Sequence, residues 1–156
     1  MAILAHMFTV ARDDWGFAVS NPLASLQVPR SNDRRERRLK PGEWAALLDA
    51  AERLKNPLVV PFLHVALGTA MRRGEILNSR WCDLDWRQKT LKIPQTKNGH
   101  SRTIPLSDEV MSVFAQRWSN TINERQLVFN LTANALRLNW QRTCRRAHIQ
   151  DLRFHD

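Results

Sequence analysis

At 156 residues the chain has room for one domain of ordinary size, or for one domain and part of another. A hydrophobic share of 43% is enough for a core and excludes global disorder, and the absence of any run of about 18 apolar residues excludes a transmembrane helix. Twenty-four Lys and Arg against fifteen Asp and Glu leave a net charge of +9, an excess that attracts polyanions, nucleic acid first and an anionic membrane second.

The apolar start from Met1 to Arg12 has no basic leading region, which argues against a signal peptide. Leu4, Met7, Phe8, Ala11 and Trp15 recur at helical spacing and predict a helix over residues 4–15 with no start signal of its own. Asn21-Pro22 and Pro29 punctuate an extended stretch after it. From Arg30 to Lys40 the chain holds six basic and two acidic residues and reads as an exposed linker, with a boundary near residue 33.

Pro41 suits a first helical turn, and Trp44, Leu47, Leu48, Ala51 and Leu54 form the buried stripe of the helix it opens. A second helix starts at Asn56-Pro57. Its Leu58, Val59, Val60, Phe62, Leu63, Val65 and Leu67 leave almost no polar face, so it belongs inside the domain, with Gly68 relaxing its end. Leu91 and Ile93 alternate with Thr90 and Lys92, and Ile104 and Leu106 follow Asn98-Gly99, which predicts a hairpin over residues 90–106. Ser107 caps the next helix, with Asp108 and Glu109 at its positive end and Met111, Phe114, Ala115 and Trp118 inward. A last helix over residues 132–147 buries Leu136, Trp140, Cys144 and Ala147 and turns Arg137, Arg142, Arg145 and Arg146 outward. The fold class is α+β, mainly α, with one small antiparallel sheet. Cys82 and Cys144 lack ligand spacing, so neither zinc nor a disulfide is expected, and a reducing cytoplasm is the simplest setting.

Three separated stretches carry residues suited to phosphate chemistry. Around Arg72 the chain reads Thr-Ala-Met-Arg-Arg-Gly-Glu-Ile-Leu. A guanidinium is a planar fork that matches two phosphate oxygens, and Glu75, three residues on, shares its helical face and can orient it. Taken alone, the two read more readily as a surface ion pair. Around Lys97 comes Thr-Lys-Asn-Gly-His-Ser-Arg-Thr-Ile-Pro-Leu, a lysine at the approach to a turn, where a flexible ammonium can protonate a leaving oxygen. The chain ends Asp-Leu-Arg-Phe-His-Asp, with His155 next to last.

In that order and at those spacings, Arg72, Lys97 and His155 resemble the catalytic domain of tyrosine recombinases, the phage integrases. Ala70 stands where the family pattern has Gly, and Lys97 rather than Lys92 matches the turn-proximal lysine of its hairpin. His155 matches the first residue of a His-x-x-Arg box. The resemblance covers residues 34–156 as the N-terminal part of a catalytic domain, and more loosely 1–33 as the end of a core-binding domain with its linker. It implies DNA cleavage by a tyrosine hydroxyl, giving a 3′-phosphotyrosyl link and a free 5′-hydroxyl, with no metal and no cofactor. Arg72 would then stabilise charge on the phosphate, with Glu75 in support. Lys97 would protonate the 5′-oxygen, and His155 would assist proton transfer.

Double-stranded DNA is the expected partner, together with other recombinase protomers on it, and no membrane. Arg34, Arg35, Arg37 and Arg38 in the linker, His100 and Arg102 on the hairpin, and Arg142, Arg145 and Arg146 on the last helix are the candidate DNA contacts. Yet the sequence contains no tyrosine, and it stops inside the His-x-x-Arg box. The expectation is a truncated piece of an active integrase, inactive alone, with apolar surface exposed where later helices would lie. Two other readings stand beside it. One is a non-catalytic DNA- or RNA-binding remnant of a mobile element. The other is an unrelated basic helical protein, against which stands the placing of its aromatics on helical stripes rather than on an exposed sheet.

Overall fold

A computed structural model describes residues 2–26, 36–94, 100–119 and 121–155. The chain divides into two units, Met1–Arg35 and Glu36–Asp156. Among the described residues are six α-helices and one three-stranded antiparallel sheet, so the fold is mainly helical α+β. None of these helices is long and apolar enough to cross a membrane.

The first unit is built on α1 (Ala2–Asp13). The helix stops two residues short of the expected stripe, because the backbone N–H groups of Asp14 and Trp15 both turn onto the Val10 carbonyl and Gly16 follows at φ 69°. Of the stripe, Phe8 and Ala11 are half-buried while Leu4, Met7 and Trp15 are exposed.

In the second unit, α2 (Glu43–Glu52) begins two residues after Pro41, at a left-handed Gly42. It buries Leu47, Ala50 and Ala51 against α3 (Val59–Thr69) and α6 (Ala133–Arg146). Val59, Phe62, Leu63 and Val65 of α3 are buried as its apolar run requires, but Leu67 is 53% exposed. Gly68 does not relax the helix end. It lies inside α3, where an added Cβ would stand 2.5 Å from Val110 Cγ2, so its missing side chain is what lets α5 (Asp108–Arg117) pack close.

The sheet runs β1 (Leu84–Asp85), β2 (Thr90–Ile93), β3 (Arg102–Pro105), with Leu91 opposite both Leu84 and Ile104. Leu91 and Ile93 are buried and Lys92 is exposed, the period-two alternation read from sequence. At two residues, β1 is too short to leave such a pattern. Asn98-Gly99, the expected turn, lies outside the described residues.

Ser107 caps α5 as expected, its Oγ accepting from the Val110 N–H at 3.3 Å. The inner line is Val110 and Phe114, four residues apart, which leaves Ala115 exposed instead of buried. Thr132 caps α6 by accepting from the Ala135 N–H at 3.1 Å. Its deepest residues are Leu136, Asn139 and Thr143, with Trp140, Cys144 and Ala147 half-buried beside them. The two buried polar side chains satisfy themselves along the helix, Asn139 Nδ2 donating to the Ala135 carbonyl and Thr143 Oγ1 to the Asn139 carbonyl, both at 2.9 Å. Two clusters make the core. A large one runs from Phe62 through the sheet to Phe129, a small one holds Ala51, Val59 and Leu63, and Phe154 packs against both.

Candidate active site

The end of α3 decides where Arg72 points. Ala70 takes a left-handed turn at φ 49°, ψ 25°, with its N–H on the Ala66 carbonyl at 3.0 Å. That conformation costs a non-glycine residue roughly 1–2 kcal/mol. Met71 then plugs the core at 2% exposure, and Arg72 emerges with extended backbone at the N-cap of α4 (Arg73–Asn78). A buried residue on one side and a helix start on the other leave the Arg72 side chain facing outward, 55% exposed.

Glu75 holds that side chain. Its carboxylate is only 8% exposed and meets three donors. Oε2 accepts from the Arg72 backbone N–H at 2.9 Å and from Arg102 Nη2 at 2.7 Å, while Oε1 accepts from Arg72 Nη1 at 3.2 Å. One acidic group thus serves two guanidinia, one at the start of α4 and one at the start of β3. The cluster keeps a net positive charge with a fixed direction, which suits an incoming anion.

His155 reaches the same place from the far end of the chain. Phe154 meets Trp140 edge-on and Phe62 at a tilt, with ring centroids 5.3 and 5.7 Å away, and the His155 ring stands edge-on to Phe154 at 5.3 Å. That aromatic anchor sets the terminal turn against α3 and α6. An open depression of about 610 Å³ is lined by Arg72, Arg73, Glu75, Arg80, Lys92 and His155 among others. Its walls therefore carry four cations and an imidazole against one carboxylate, which is already engaged.

Of the residues singled out from sequence, Arg72, Glu75, Arg102 and His155 come together here. Lys97 lies outside the described residues, as do Arg34 and Arg35. Arg37 is drawn inward instead, its Nη2 on Glu43 Oε1 at 2.6 Å. Arg38 and His100 are exposed. Arg142, Arg145 and Arg146 are exposed on α6, and Arg146 Nη1 donates to the Arg53 carbonyl at 2.7 Å. Sequence reasoning did not place Arg73, Arg80 or Lys92 at the depression. For Lys92 the signal was present, since it alternates out of phase with buried Leu91 and Ile93 and must face away from the core. Among the described residues no group of His, Cys, Asp and Glu is arranged to hold a metal ion. Burial pushes the Cys144 thiol up to about 11, which keeps it protonated and poorly nucleophilic at neutral pH.

A family model, that of the phage integrase family, matches residues 37–156. The chain belongs to the phage integrase family. A shufflon-specific DNA recombinase of Escherichia coli is 38% identical over 156 residues, an alignment that takes all of this chain and 40% of that protein. The integrase of Salmonella phage P22 is 27% identical over 173 residues, taking all of this chain and 43% of the phage protein. Among solved structures, a lambda integrase dimer bound to a COC′ core site aligns with 99% of this chain and 60% of that one, with a TM-score of 0.76 at 20% identity, which is a likeness of fold. This integrase-family chain spans 40% to 53% of the length of the curated relatives it matches first.

Proposed function

We propose that the chain is the DNA-gripping part of a site-specific tyrosine recombinase, acting in DNA integration or rearrangement by strand breakage and rejoining. The observation that carries this reading is the Arg72 guanidinium held on a nearly buried Glu75 in a cationic depression that His155 also lines. Arg72 binds the scissile phosphate and stabilises the charge that builds on it in the transition state, the role of a preorganised donor. Lys97 protonates the departing 5′-oxygen and His155 assists proton transfer. Residues 34–156 form the N-terminal part of the catalytic domain and residues 1–33 the end of the core-binding domain with its linker. Arg38, Arg142 and Arg145 neutralise duplex phosphates without reading sequence. The partners are double-stranded DNA and further recombinase protomers on it, in the cytoplasm.

The covalent step needs a tyrosine, and this sequence holds none. The 156-residue polypeptide therefore binds duplex DNA and does not cleave it. Fluorescence anisotropy with a labelled duplex across a salt series tests the first half: affinity falls with salt by about 0.9 log units per log unit for each phosphate engaged. Incubation with a nicked duplex tests the second, and a 3′-linked protein–DNA species would overturn it. Strong binding to single-stranded RNA with none to duplex DNA would replace this reading by that of an RNA-binding remnant.

A further inference from the structure

We propose that Arg102 is a positioning residue for Arg72, acting through Glu75, and not itself a contact to DNA. The inference rests on the reading of Arg72 as the phosphate grip and extends it to a residue on another element.

The geometry separates the two oxygens of Glu75 by task. Oε2 takes the Arg72 backbone N–H and Arg102 Nη2, and Oε1 takes Arg72 Nη1. The terminal torsion of a glutamate is broad and roughly two-fold, so one donor on one oxygen does not fix the plane of the carboxylate. Two donors on Oε2, from different elements, do fix it, and Oε1 is then left aimed at the Arg72 side chain. The contact from Arg102 is the shortest of the three at 2.7 Å, and the one to the Arg72 guanidinium is the longest at 3.2 Å. Arg102 is thus the closer end of the clamp, and Arg72, held through one nitrogen, keeps its remaining N–H groups for an anion. Were Arg102 absent, the whole negative charge of Glu75 would fall on Arg72 and draw its guanidinium back toward the helix.

The position of Arg102 adds a second consequence. It opens β3 and pairs with Ile93, the last residue of β2, so it sits at the base of the segment that carries Lys97. Ile93 is buried at 3% exposure, which anchors that base from the core side. The Arg102–Glu75 pair ties the same base to the start of α4 from the solvent side. Arg102 therefore sets the distance between the residue proposed to grip the phosphate and the facing ends of β2 and β3.

The test titrates a labelled duplex of arbitrary sequence into the 156-residue chain and its R102Q, R72Q and double variants across a salt series, with backbone amide NMR spectra to verify folding. The expected result is that R102Q weakens binding roughly three- to tenfold with an unchanged salt slope, and weakens it no further in the R72Q background. Equal losses in both backgrounds, with the slope smaller by about one, would make Arg102 a direct phosphate contact and overturn the proposal. A second readout needs no DNA: the Arg72 Nε–H resonance shifts in R102Q and returns most of the way in R102K. An unmoved resonance overturns the proposal. If R72Q binds duplex as the parent chain does, the phosphate-grip reading falls, and the Arg72 resonance in R102Q alone decides whether Arg102 positions it.

Discussion

Two groups of arginines in the second unit carry the same charge and differ in what holds them. Arg72 and Arg102 converge on a carboxylate that is 8% exposed, and each has one guanidinium nitrogen within 3.2 Å of it. Arg142 and Arg145 stand exposed on α6, and neither guanidinium has a hydrogen-bond or ion-pair partner among the described residues. A held guanidinium has already given up its rotamer freedom, which for such a side chain is worth up to about 2 kcal/mol, before any ligand arrives. A free one offers the same field and no direction. The first kind suits charge that develops at one point in a reaction, and the second suits a polyanion that can be met anywhere along its length.

The largest effect should come from breaking the held group in a context that can react. Joining this chain to a segment that carries a tyrosine would give such a context. In such a chimera R72Q should lower the rate of covalent adduct formation by about 10²–10³ while changing duplex affinity far less, as read on a nicked substrate by denaturing gel. A loss of affinity with the adduct rate at saturating DNA unchanged would place Arg72 with the free arginines. The free group should behave in the opposite way. R142Q and R145Q should each reduce the salt slope of duplex binding by about 0.9 and leave the adduct rate at saturating DNA unchanged.

Much of this contrast was legible in the sequence, and the part that was not has a physical cause. The three-residue spacing from Arg72 to Glu75 placed both on one side of a helix start, and the pair is there. The basic side of α6 followed from its period, because Leu136 and Trp140, four residues apart, set the inward side and Arg142 and Arg145 fall off it. The Arg102–Glu75 pair spans 27 residues and joins a strand to a helix, so no local period announces it. Asn139 and Thr143 were missed because polarity argues against burial, and only the helix's own carbonyls make it cheap. Gly68 was misread for a related reason. A glycine near a helix end looks like a stop signal until the neighbour pressing on it is known, and that neighbour, Val110, lies 42 positions along the chain.

Gly68 and Ala70 support the held group from below, since they set how α3 lies on α5 and how the chain turns into Arg72. G68A places a Cβ 2.5 Å from a methyl of Val110, a stiff β-branched side chain only 2% exposed. Overpacking of about 1–3 kcal/mol should outweigh a helix-propensity gain of just under about 1 kcal/mol, for a net loss near 1 kcal/mol. V110A should absorb most of the added cost of G68A in a double-mutant cycle by thermal melts. A70G should act in the other direction, raising stability by about 1 kcal/mol through relief of the φ 49° turn. If A70G also leaves the Arg72 resonance in place, the turn and not the alanine methyl sets the direction of that side chain.

The smallest effect divides the linker arginines in the same way. Arg37 is held: its Nη2 lies 2.6 Å from Glu43 Oε1, with both side chains under 20% exposed, and Glu43 Oε2 accepts the Lys40 backbone N–H at 2.8 Å. The Arg37 hydrogen bond first, and then the Lys40 N–H, hold the Glu43 carboxyl below its ordinary 4.5. A carboxyl lowered on folding takes up its proton more readily in the unfolded chain. The stabilisation is therefore complete above about pH 5.5 and drains away as pH falls through 4.5 toward the folded value. Thermal melts of the parent chain and E43Q should differ most near neutral pH and converge in acid. Some acid slope should remain in E43Q, because Arg12 beside Asp13 and Lys89 beside Asp108 lower those carboxyls with the same sign. R37Q should likewise flatten the acid limb and barely alter the salt slope of DNA binding, whereas R38Q should reduce the slope and leave the acid limb as it was. Reversal of those two results would mean that Glu43 does not hold Arg37 in solution, and the division between held and free arginines would then have to be drawn at the Glu75 carboxylate alone.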